Sequence, residues 1–237
     1  MTTNLRISLT ILSVGFGIEG AGELYSLISR GSFRPGISLL FLLPIVVTVA
    51  GLLFVWIGQH EWNALHRERV RRAHLVFALS LLGAVVAGSL FAALLFHPSL
   101  GTPPWSRGLF GAAIGSLVLG TFVTYVLLVF HLVARPSQAL LLAAIVWALI
   151  VASLVGAAMA ANLPALLALA AHRTLTVPSF VAPVDALASY LFLAYFLLLA
   201  AYVDAHRTIL RGDPGSSRPP ALGRPGAVSA GPPGPRA

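Results

Sequence analysis

Six stretches of the chain each run for about twenty mainly apolar residues, the length a helix needs to cross a bilayer. They lie at about 6–29, 36–58, 74–96, 108–133, 139–161 and 184–205. Only 9% of residues are charged and 58% are hydrophobic, whereas a soluble domain carries roughly 25% charged residues. The expected fold is therefore all-α: a polytopic helical membrane bundle over residues 1–211 with about six transmembrane helices. A secretory signal is the competing reading of the first stretch. Glu19 and Glu23 oppose it, because acids do not suit the apolar core that precedes a cleavage site.

Those two acids are the features least at home in lipid. On a helix Gly15, Glu19, Gly22, Glu23 and Ser26 share one face, since residues three and four apart are neighbours. Glycines on that face let another backbone approach closely. An ionised carboxylate at mid-bilayer costs roughly 2.5–3.5 kcal/mol on insertion scales. No arginine lies inside the span to offset this, so Glu19 is expected to be neutral or to hold a cation. Glu23, nearer the helix end, is within reach of interfacial water or Arg30. Two readings stand together: a proton or cation site, or polar glue hydrogen-bonded to neighbouring hydroxyls. Candidate partners are Thr48 beside the kink expected at Pro44, Thr121, Thr124 and Tyr125 on the fourth span, and Tyr195 on the sixth. His131, at the end of the fourth span, titrates near neutrality and is a candidate proton relay. Its plainer role is that of an interfacial side chain.

Close helix packing is written into three spans. Ser80, Ala84, Gly88 and Ala92 recur at four-residue spacing; so do Gly108, Ala112, Ser116, Gly120 and Thr124, and again Ala144, Ala148, Ala152, Gly156 and Ala160. Such rows let helices approach in lipid, where no hydrophobic force drives association. Gly15, Gly22, Gly88, Gly120 and Gly156 are the glycines expected at these contacts.

The connections set the topology. The most polar one, 59–74, carries Arg67, Arg69, Arg71 and Arg72 with Glu61 and Glu68. It reads as a short separate helix lying among anionic lipid headgroups, with Glu68 and Arg72 one turn apart. His60, Glu61 and His66 fall short of a zinc protease motif, which needs histidines four apart. Residues 163–171 are too short to cross and read as an interfacial or re-entrant segment. From 212 onward the chain is rich in Pro, Gly and Ser and is expected to be a disordered tail. Counting arginines by side places both termini in the cytoplasm, in a multi-pass cell-membrane protein.

There is no cysteine, which removes disulfides, thiolate metal sites and a cysteine nucleophile. No pattern points to a metal, a cofactor or a nucleic acid. Membrane lipids are the expected partners, and association with a second copy or another subunit stays open. Three functions follow: a non-catalytic structural or accessory membrane component, a proton- or cation-linked transporter or channel subunit using Glu19 and Glu23, and an intramembrane lipid-modifying enzyme. The last would need paired titratable groups at one depth.

Overall fold

The computed structural model describes residues 3–28, 49–53, 56–57, 64–97, 102–172 and 181–210. Every regular element among them is an α-helix: α1 (Thr3–Ile28), α2 (Ala64–Phe96), α3 (Pro104–Val129), α4 (Arg135–His172), α5 (Val181–Ser189) and α6 (Phe192–Leu210). Residues 49–53 and 56–57 are also helical. The rest of the expected second span, with Pro44 and Thr48, lies outside the described residues, as does the tail from 212. Five helices are long and apolar enough to cross a membrane: Arg6–Ile28, Arg67–Phe96, Pro104–Val129, Arg135–Ala168 and Ala186–Arg207.

Three helix boundaries differ from the sequence expectation, each for a reason visible in the packing. The arginine cluster sits on no separate headgroup helix, because α2 runs without interruption from Ala64. Nothing between Ala64 and His74 breaks a helix, and Arg, Leu and Glu all favour one. Val70 and Ala73 are fully buried and tie this first part of α2 to the core. Next, α4 does not stop near 161 and leave a re-entrant piece; it continues through Pro164 to His172. Proline removes one backbone hydrogen bond, but Leu163 beside it is fully buried against Ala87, Leu94, Phe110 and Ala113. Finally, the sixth span is two helices, broken at Tyr190–Leu191. There the Tyr190 and Leu191 amides donate to Leu187 and Ala188, three residues back instead of four, at 3.3 and 2.8 Å. The indole of Trp147 on α4 donates to the Tyr190 carbonyl at 2.7 Å.

The two ends of α3 are finished differently. Pro104 opens α3 with a fixed φ and no amide to satisfy. Ser106 donates to the Pro103 carbonyl at 2.8 Å. At the other end of α3, Gln138 donates to the Phe130 carbonyl at 3.1 Å.

The described helices pack in the order α2, α3, α4, α6, α1, so the first crossing meets the last. Small residues set the spacing. A Cβ added at Gly156 would lie 2.6 Å from the Gly111 carbonyl oxygen, and one at Gly115 would lie 3.1 Å from that of Ala152. There α3 and α4 touch backbone to backbone. Gly120 lies against Ser80, and Gly83 against Ala113 and Ser116, which brings α2 onto α3. Gly15 is buried. Gly22 and Gly88 are not contact glycines among the described residues: a Cβ on either would meet nothing within 4 Å. Around Gly88 the contact with α3 is made instead by Ala87, Phe91 and Leu94, and Gly88 itself faces outward.

The exterior is apolar. Leu75, Leu79, Leu82, Val85 and Val146 all point outward, each more than half exposed. Apolar surface on that scale requires a hydrocarbon solvent or a partner.

Candidate functional site: an intramembrane carboxylate and tyrosine

Glu19 lies near the middle of the Arg6–Ile28 span. It meets α6 because the two helices run antiparallel. Phe196 packs beside Gly20, where an added Cβ would be 3.1 Å from the ring, and Leu199 packs beside Gly17 at 3.8 Å. This register brings Tyr195 to Glu19, and its hydroxyl is hydrogen-bonded to the carboxyl group. Glu23 and Tyr125 are near enough to act electrostatically on the same hydroxyl. Glu19 and Glu23 are both half-buried. The break between α5 and α6 comes four residues before Tyr195, about one turn away. That places the start of α6 near the level of Glu23.

Thr121 and Thr124 do not donate to Glu19. Their hydroxyls donate to their own helix, to the Leu117 and Gly120 carbonyls, each at 2.8 Å, the back-bonding that threonine adopts inside helices. His131 sits in the turn after α3, six residues past Tyr125. That puts it about 9 Å or more along the bundle axis from the carboxylate. Thr48 lies outside the described residues.

Most of the described arginines gather at one end; Arg107, at the start of α3, lies at the other and donates to Thr102. Arg67, Arg71 and Arg72 are exposed and Arg69 is half-buried. Arg72 pairs with Glu68. The exposed Arg135 and Arg207 share this basic end of the bundle. The Ser137 hydroxyl also lies here and donates to Asp204 at 2.7 Å, tying the start of α4 to the end of α6.

An aromatic layer adjoins the carboxylate on the basic side. Phe16, one turn along α1 from Glu19, is fully buried. Its ring centroid lies 4.9 Å from those of Tyr125 and Tyr202 and 6.4 Å from that of Tyr195. The Tyr202 hydroxyl donates to the Tyr125 carbonyl at 2.8 Å. Sequence spacing places Tyr202 on the face of Tyr195. It holds no sign of Phe16 as the hub, beyond its place one turn from an intramembrane acid.

A furrow of about 440 Å³ runs along the outside of α3 and α4, lined by Gly108, Ala112, Ser116, Leu149, Ser153 and Ala157 among others; Glu19 is not on it. Among the described residues no three His, Asp or Glu side chains gather as a metal would need. No protein-family model, curated protein or solved structure matches the chain.

Proposed function

We propose that this chain is a multi-pass membrane component that performs no covalent chemistry and takes up and releases a proton or small cation at Glu19. It would act as a transport subunit or as an accessory to one. The observation that carries this reading is the Glu19–Tyr195 hydrogen bond one turn from a broken helix. A phenol donates to an ionised carboxylate and accepts from a neutral acid. One pair therefore serves both protonation states, as an exchange site requires. Transporters place discontinuous helices at such sites, where the positive end of a half-helix faces negative charge.

The backbone contacts at Gly111, Gly115 and Gly156 favour a second role for the same bundle, that of a rigid scaffold. A lipid-modifying enzyme has less support, because His131 and Glu19 stand at different levels. The arginine bias places the basic end, the N-terminus and the tail in the cytoplasm, with Arg67, Arg69, Arg71 and Arg72 among anionic headgroups.

The test compares wild type with Glu19→Gln in proteoliposomes loaded with a pH-sensitive dye. The amide keeps hydrogen bonding but cannot titrate. Proton flux that changes in Glu19→Gln while the fold survives supports exchange. Equal flux, together with loss of fold in Glu19→Leu, means the carboxyl group is structural glue.

A further inference from the structure

Resting on the exchange proposed for Glu19, we infer that Glu19 communicates with the compartment at the end opposite the arginines, by way of Glu23, and that Phe16 is the seal closing it off from the basic end. The two directions along α1 differ in kind. Toward the basic end, Leu9, Leu12, Phe16, Val129, Leu198 and Tyr202 are each at most 2% exposed. From Leu9 to Phe16 this dry layer is about 10 Å deep. Three hydroxyls within it are turned onto backbone: Ser13 donates to the Leu9 carbonyl at 2.7 Å, Thr124 to Gly120 at 2.8 Å and Tyr202 to Tyr125 at 2.8 Å. None of these bonds leads to Glu19. The Phe16 ring fills the space among the three tyrosines, with edges on Tyr125 and Tyr202 and a stacked face toward Tyr195.

In the other direction the same face of α1 carries Glu23 one turn on and Ser26 after it. Glu23 is half-buried, and Tyr25 and Ile28 beyond it are well exposed. Glu23 also acts electrostatically on Tyr195, the phenol bonded to Glu19. The helix break at Tyr190–Leu191 is on this side too. Among the described residues, Glu23 and Ser26 carry polar groups on from Glu19 toward the far end, while on the basic side the Tyr125 hydroxyl lies within the closed aromatic layer around Phe16. By the arginine bias the far end is the external side. Passage to the basic end requires the Phe16 ring to leave its box.

The chain has no cysteine, so single cysteines report access directly. Glu19→Cys in sealed vesicles is challenged with a small membrane-impermeant thiosulfonate from each side, with Arg207→Cys marking the basic end. Glu19→Cys should label only from the opposite end. Adding Phe16→Ala should open labelling from the basic end, raising its rate about tenfold or more. Phe16→Leu, which keeps more bulk, should give a smaller rise and replaces Phe16→Ala if that variant does not fold. Labelling from the basic end with Phe16 in place, labelling from neither end, or no rise in the Phe16 variant that folds overturns the seal. One-sided labelling with flux unchanged in Glu19→Gln overturns the exchange instead, leaving Phe16 closing over a structural acid.

Discussion

Gly156→Ala tests whether the α3–α4 contact sets the stability of the bundle. The added Cβ would lie 2.6 Å from the Gly111 carbonyl oxygen, where ordinary contact begins at 3.4 Å. The helices must therefore part by about 3.4 − 2.6 = 0.8 Å, since both surfaces are backbone and neither can rotate away. A gap of ~0.5–1 Å forfeits a quarter to a half of each dispersion well, and the loss extends along the interface to Gly115 and Ala152. Forced overpacking of this kind costs about 1–3 kcal/mol. Alanine also gains about 0.5–1 kcal/mol over glycine inside a helix, so the net effect on Gly156 understates the clash. Gly88→Ala supplies the correction, because its Cβ meets nothing within 4 Å and carries the propensity gain alone. Unfolding in mixed micelles with rising dodecyl sulfate, followed by circular dichroism, should rank Gly88→Ala at or above wild type. Gly156→Ala should fall below Gly88→Ala by about 1–3 kcal/mol. Equal stability of the two variants would refute the backbone contact as the organising feature of the pair.

Two further substitutions probe single hydrogen bonds. Trp147→Phe removes the donor to the Tyr190 carbonyl, so it should cost about 0.5–1.5 kcal/mol and speed amide exchange at residues 188–194. Unchanged exchange there would show that the break holds without the indole. Tyr202→Phe keeps the ring beside Phe16 but takes the donor from the Tyr125 carbonyl. It should lower stability by about 0.5–1.5 kcal/mol, the net worth of one such bond, since the Tyr125 carbonyl keeps its own helix bond, and stability equal to wild type would mean the bond contributes nothing net.

Much of the bundle is legible in the sequence because lipid imposes simple demands. Apolar length finds the five long apolar helices, and the acids of α1 stand out because they fall in the middle of an apolar run. Tyr195 is found as a partner of Glu19 from depth alone, while Thr121 and Thr124 at similar depth are not, because their hydroxyls turn back onto their own helix. Helix ends are harder to read. Arg67 to Arg72 read by polarity as a separate headgroup helix, yet Val70 and Ala73 bury a stripe that carries the same helix on into the bundle. No glycine or proline marks Tyr190–Leu191; the break there is held by an indole 43 positions earlier, a tertiary contact with no local signature. Gly88 and Gly156 look alike in their rows, and only the course of the neighbouring helix distinguishes them.

The 38 residues of α4 make a rod about 57 Å long at 1.5 Å per residue, nearly twice the ~30 Å of hydrocarbon. Even leaning by ~40°, the steepest tilt common in membranes, it would rise about 44 Å along the normal. Some 14 Å of it must then emerge, and Pro164 lies toward the far tip, beyond where the apolar slab has ended if the rod enters at Arg135. Leu163 beside Pro164 is packed against Ala87, Leu94 and Phe110, so α4 emerges flanked by α2 and α3, and an antibody fragment that grips this tip would hold three helices at once without touching the carboxylates below.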